Sequence, residues 1–314
     1  MTIAFIFPGQ GSQAVGMGKS LAEQFPAARA VFSEVDDALS QKLSTLMFEG
    51  PLDELTLTAN AQPALMAASL AVLRVLEAEA GLSIGRDAAF VAGHSLGEYS
   101  ALAAAGALTV ADAARLLRIR GDAMQKAVPA GEGAMAALLG AELDLARAIA
   151  ADAAQGEVCE AANDNGGGQV VLSGAKAAVE RAILLAGERG VRRAMLLPVS
   201  APFHCALMQP AAALMRDALA QVELKAPAVP VMANVGAAPL SDPDAIRASL
   251  VAQVTGTVRW RECVLAMAAA GVTEFIELGS GKVLAGLVKR IVAGGATMSV
   301  GTADDVAAYK ARSN

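Results

Sequence analysis

At 314 residues the chain exceeds the size of an ordinary single domain, which points to two domains or to one large domain carrying an insertion. Its composition is 55% hydrophobic with a mean hydropathy of +0.46, but much of that content is alanine, equally at home in soluble helices. The net charge of −6 and pI near 5.1 exclude the basic footprint of a nucleic-acid binder. Cys159, Cys205 and Cys263 stand isolated, with no C-x-x-C pair, and so suggest neither a disulfide framework nor a zinc site.

In chain order, Met1 and Thr2 run into a short buried-type strand, Ile3–Phe7, without the basic region and cleavage site of a secretory leader, the pattern of a cytoplasmic protein. Pro8-Gly9-Gln10-Gly11-Ser12 follows as a turn-forming loop at the strand end. Ala61–Ala80 has helical composition, and the uncharged stretches Leu55–Leu73 and Ala194–Met215 do not read as membrane helices. The apolar run 88–93 leads into Gly93-His94-Ser95-Leu96-Gly97 and an alanine-rich helix over 98–105: strand, turn, helix. A further helix is expected over 110–128.

From 128 to 198 the pattern changes to β (134–139), α (141–154), β (157–162), β (169–172), α (176–187) and β (191–197), the order of a ferredoxin-like unit. Asn163-Asp164-Asn165-Gly166-Gly167-Gly168 marks the central hairpin. Strand 229–234, helices 245–254 and 261–270 and strand 273–277 then resume the first pattern. The expected architecture is α/β: a large domain with a mostly parallel sheet, residues 1–127 and 199–314, into which a ferredoxin-like small domain, 128–198, is inserted.

The G-x-S-x-G pattern lets a strand turn sharply into a helix and leaves the Ser95 hydroxyl exposed at the tip. The helix N-terminus behind it offers free N–H groups for an oxyanion, that of Leu96 first. The plainer alternative is that Ser95 only caps the helix. A nucleophilic serine needs a base, and the chain has two histidines. His94 adjoins Ser95 on a turn where neighbouring side chains diverge, which suits packing better than proton transfer. His204 lies in Ser200-Ala201-Pro202-Phe203-His204; a lone histidine in an apolar segment is usually structural, but elimination makes it the candidate base. Arg120 stands with Leu116, Leu117 and Met124 on the apolar face of its helix, whereas Arg115, Arg118 and Asp122 share the polar face. A guanidinium there needs a partner, either a structural carboxylate or one on the substrate.

Assembled, these residues resemble the malonyl-CoA:acyl-carrier-protein transacylases of type II fatty acid synthesis and, more distantly, polyketide synthase acyltransferase domains. The resemblance runs nearly the whole length, through Phe7–Gln13, Gln62-Pro63-Ala64, the 93–99 stretch GHSLGEY, Arg120, Ala201–Cys205, Ala233-Asn234-Val235, Gln253-Val254-Thr255 and 277–290. It implies an α/β-hydrolase-like large domain and a ping-pong transfer from malonyl-CoA to the phosphopantetheine thiol of an acyl carrier protein. Ser95 is then the nucleophile, His204 the base, Gln10 and Leu96 N–H groups the oxyanion hole, and the Gln253 carbonyl the group that orients the histidine. Arg120 would hold the malonyl carboxylate, with Met124 and Phe203 beside the acyl group, Phe203 opposing a C2 methyl. No bound cofactor, metal, membrane or nucleic acid is implied, and a monomer is expected. One departure is Thr257, before Val258, where relatives usually have proline.

Two other readings compete. A serine thioesterase or hydrolase of α/β-hydrolase type also uses G-x-S-x-G, but places its base near the C-terminus after an acid, whereas no histidine follows His204 here. A catalytically silent thioester-binding module is opposed by the intact Ser95, His204 and Arg120 set. A stand-alone transferase serving polyketide synthesis shares every residue named.

Overall fold

The computed structural model describes residues 2–313. Among the described residues ten strands, β1 (Ile3–Phe7), β2 (Ala88–Gly93), β3 (Gly133–Leu139), β4 (Cys159–Asp164), β5 (Gln169–Ala175), β6 (Arg193–Leu196), β7 (Val231–Met232), β8 (Pro239–Leu240), β9 (Glu274–Leu278) and β10 (Ala296–Val300), form two sheets. The larger has the order β10-β9-β1-β2-β7-β8, parallel throughout except where β8 turns back on β7. The smaller, β4-β5-β3-β6, is antiparallel and pairs strands as a ferredoxin-like unit does. The fold class is therefore the one expected: a mostly parallel α/β sheet with a small ferredoxin-like sheet inserted between β2 and β7.

β1 and β9 are buried on both faces, as strands covered by helices must be; β1 is apolar throughout, whereas β9 carries Glu274, paired with Arg312, and Glu277, which accepts from the Leu284 and Ala285 N–H groups. The helix Thr58–Ala80 is the centre of the large domain's packing, against helices Pro26–Leu39 and Val110–Lys126. It is long and apolar enough to cross a membrane, unlike the expectation for 55–73, yet 89% of its most apolar window lies buried inside the protein. An all-round hydrophobic helix has those two possible environments, and here the domain supplies its own.

Two elements differ from the sequence expectation in an informative way. The strand expected over 229–234 shrinks to Val231–Met232, because the Ala233 N–H bonds Ala238 O, closing a turn, while Asn234 leaves the ladder to bond Glu98. β10 completes the sheet edge beside β9 from a segment, 296–300, with no strong strand pattern. The Thr257 hydroxyl donates to Ala161 O at 2.7 Å, and Val258 N–H bonds Ala162 O at 2.8 Å. Together with the Arg261–Asp164 ion pair at 2.8 Å, these bonds stitch the segment after Gln253 to β4 of the small sheet.

Candidate active site

In the parallel pair β1–β2, Phe7 sits opposite Gly93, so the loops leaving these strands emerge side by side at their carboxyl ends, where open α/β sheets bind ligands. The elbow is sterically forced to be glycine-rich. A Cβ on Gly93 would lie 1.9 Å from Gly97 O, and one on Gly97 would lie 2.3 Å from Phe7 O. Ser95 adopts φ 53°, in the left-handed region, and His204 does the same at φ 59°. Each such residue costs about 1–3 kcal/mol and persists only where surrounding contacts impose it.

Those contacts bring distant segments together. Ser95 Oγ lies 2.7 Å from His204 Nε2, and His204 Nδ1 lies 2.8 Å from the Gln253 carbonyl oxygen. A carbonyl only accepts, so Nδ1 carries the proton, Nε2 is left with its lone pair, and the serine O–H donates to it. Burial and, second, the positive charge of Arg120 push the His204 pKa down to about 3. The imidazole is thus neutral and ready to accept a proton at neutral pH.

Arg120 is 1% exposed and faces the same atoms. Its Nη1 donates to Gln62 Oε1 at 2.8 Å, and Nη2 donates to Gln253 Oε1 at 2.9 Å and to Ser95 Oγ at 3.1 Å. Nε has no partner, and among the described residues no carboxylate forms an ion pair with this guanidinium. A buried cation in that condition is costly unless an anion arrives. The structural-carboxylate alternative for Arg120 therefore finds no direct partner, although Glu98, buried one helical turn from Ser95, is within electrostatic reach and is bridged to it through the Gln253 amide.

A cleft of about 450 Å³ opens above these groups between the two sheets. Ser95, His204, Arg120, Met124, Phe203 and Gln10 line it on the large-domain side, and Met135, Asn163, Asn165 and Gln169 on the other. Met124 Sδ accepts from Gln62 Nε2 at 3.8 Å, which ties it to the residue that holds Arg120. Gln10 is placed by its side chain, which donates to Thr58 Oγ1 at 3.3 Å. The main-chain N–H groups of Gln10 and Leu96 have no acceptor among the described residues, whereas Gly97, Glu98 and Tyr99 N–H are already bonded within the turn. Leu96 contributes only that N–H, since its side chain is in the core. His94 points elsewhere: its Nε2 bonds Asn165 Oδ1 at 2.9 Å and its ring stands 5.8 Å from that of Trp260.

Sequence reasoning assigned no role to Gln62, Asn234 or Glu98, which were visible only as parts of longer motifs. Glu98 is the least legible. A first-turn acid normally complements the helix dipole at a surface, but this one is buried, and burial raises its pKa to about 7 against hydrogen bonds from Gln253 and Asn234 that lower it.

Residues 4–305 match the family model of the acyl transferase domain. The chain is 48% identical over 290 residues to the malonyl CoA-acyl carrier protein transacylase of Bacillus subtilis (strain 168), covering 92% of this chain and 90% of that protein. It is similar in structure to an acyl-carrier-protein-S-malonyltransferase from Bartonella henselae, with a TM-score of 0.97 and 58% identity over 100% of this chain and 99% of the other. A malonyl-transacylase solved in complex with a type II PKS acyl-carrier protein aligns with a TM-score of 0.95 and 40% identity, over 99% of this chain and 100% of that one.

Proposed function

This chain belongs to the acyl transferase domain family, and we propose that it moves the malonyl group of malonyl-CoA to the phosphopantetheine thiol of an acyl carrier protein through a malonyl ester of Ser95. The observation that carries this reading is the half-buried Ser95 hydrogen-bonded to the buried His204–Gln253 pair, with an anion-less Arg120 at its side. Ser95 Oγ attacks the thioester carbonyl as His204 Nε2 takes its proton. The oxyanion forms against the Leu96 and Gln10 N–H groups, and its collapse expels the CoA thiolate, which His204 protonates. The carrier-protein thiol then enters, gives its proton to His204, and displaces Ser95 by the same steps in reverse.

Arg120 receives the malonyl carboxylate in this scheme. Burial is the main cause of the lowered His204 pKa and Arg120 the second, so pairing with that anion offsets the second cause and favours proton uptake by the base that acts on it. Met124 and Phe203 bound the acyl group, and Phe203 disfavours a C2 methyl by about 1–3 kcal/mol. We assign residues 1–127 and 199–314 to the catalytic domain and 128–198 to the small domain, and the enzyme to the cytoplasm as a monomer without bound cofactor or metal.

Arg120→Ala is expected to lower malonyl loading of Ser95 by about 100-fold relative to acetyl loading, the worth of a charge-assisted bidentate contact. Competition between malonyl-CoA and acetyl-CoA, read by intact-protein mass, checks this. An unchanged ratio would assign Arg120 to structure alone.

Carrier proteins are acidic, so docking falls to basic side chains at the cleft rim. Arg290 Nη2 donates to Gln169 Oε1 at 3.2 Å, on a residue that lines the cleft. Arg193 is aligned with Leu139, itself aligned with Gln169 across the small sheet, and Arg192 packs on Gly140. Arg189, by contrast, is paired with Asp152 and contributes less free charge. Charge reversal at Arg192, Arg193, Lys289 and Arg290 should raise the carrier-protein KM at least about 10-fold at low salt while leaving malonyl-CoA loading unchanged. Carrier-protein kinetics untouched at every salt concentration would reject this surface.

A further inference from the structure

The Asn234 carboxamide faces the nucleophile elbow with both of its ends. Oδ1 accepts the Ser95 N–H at 2.7 Å, and Nδ2 donates to the Gly93 carbonyl at 2.7 Å. On the other flank, Gln253 Nε2 donates to the Ser95 carbonyl at 3.0 Å. Both peptide groups of a residue with positive φ are thereby tied down. Beneath them sits Glu98, whose Oε2 accepts the Asn234 main-chain N–H at 3.1 Å and Gln253 Nε2 at 2.8 Å. Gln253 must accordingly turn its amide nitrogen toward Glu98, which leaves its Oε1 for Arg120.

We propose that Asn234 and Glu98 are positioning residues: Asn234 staples the elbow in the left-handed conformation that aims Ser95 Oγ at His204, and Glu98 anchors Asn234 and Gln253 beneath it. The inference rests on Ser95 being the nucleophile. A serine released from this clamp relaxes toward negative φ, where L-residues are more stable. Its Cβ–Oγ bond then swings away from His204 Nε2, and the Leu96 N–H turns with the same peptide plane. Asn234 makes no hydrogen bond to Arg120, Met124 or Phe203, so recognition of the acyl group is left in place.

The decisive measurement is single-turnover formation of the malonyl adduct by Asn234→Ala, with thermal melting to confirm folding. The rate should fall about 100-fold, as for a reacting atom misplaced by an ångström, while half-saturation by malonyl-CoA shifts less than about 3-fold. Labelling of Ser95 by phenylmethanesulfonyl fluoride, which is uncharged and ignores Arg120, should slow by a similar factor. Wild-type labelling in folded Asn234→Ala, or a half-saturation that rises in step with the loss of rate, overturns the proposal. Glu98 supplies an independent pair of variants. Glu98→Gln keeps an oxygen acceptor in place and should retain most of the activity, whereas Glu98→Ala should lose about 10-fold. Equal rates in these two variants reject the anchor, including where Asn234→Ala does not fold. Failure of the underlying reading would look different, since the adduct would then form on a residue other than Ser95.

Discussion

Ser95→Ala is expected to leave no malonyl ester on the protein after incubation with malonyl-CoA and to reduce transfer to the carrier protein by about 10⁴-fold or more. The size follows from the site's design. His204 Nε2 and Arg120 Nη2 both converge on Oγ, at 2.7 and 3.1 Å, and among the described residues no second serine or threonine hydroxyl is bonded to either. Cys205 does not replace it: its thiol is buried, donates to Pro202 O, and has its pKa raised by burial, which keeps it protonated. Binding should survive, since Arg120 keeps Gln62 and Gln253 as partners. Intact-protein mass spectrometry and calorimetric titration with malonyl-CoA separate the two effects. A full adduct on the alanine variant would move the nucleophile elsewhere.

His204→Ala should lower both half-reactions together, each by about 10³-fold, because one base serves acylation and its reversal. No neighbour can substitute. Arg120 has only donors to offer, and His94, the other histidine, is spent on Asn165 across the cleft. The same geometry sets a pH dependence. The neutral, proton-accepting form of a histidine with a lowered pKa is lost only as pH falls through that lowered value, here about 3. The kcat/KM profile for loading should therefore show no limb centred on 6.5, the ordinary histidine value. Stability falls in the same direction but over a higher window: below pH 6.5 the unfolded chain gains a proton that folded His204 refuses, so stability declines as pH falls from 6.5 toward 3. A variant retaining a tenth of the loading rate would take the base assignment away from His204, whereas a limb at 6.5 would overturn its lowered pKa.

Much of the fold was legible in the sequence because it rests on local rules. Short apolar runs gave β1 and β2, and the N-D-N-G-G-G turn announced the hairpin of the small sheet. β7 was overestimated for a tertiary reason: Asn234 is recruited by Glu98 and cannot stay in the ladder. Glu98 itself reads as an exposed acid from its position in the first turn of a helix, and only the packing of β7 and the helix Pro243–Gln253 around it makes it a buried anchor.

By itself the sequence determined the elbow, since glycines at 93 and 97 flanking Ser95 permit a turn that any Cβ would block. It also placed Arg120 on an apolar helix face, through the 3.6-residue period, and reduced the base to one of two histidines. Tertiary structure alone decided that His204, 109 residues from Ser95 along the chain, meets it at 2.7 Å. It alone decided that Arg120 lacks an ion-pair partner among the described residues, and it sets the Gln253 carbonyl, which the family resemblance implied, 2.8 Å from His204 Nδ1. The division has a physical cause: backbone sterics and helical period are written residue by residue, whereas the state of a buried charge depends on which distant segments the core folds against it.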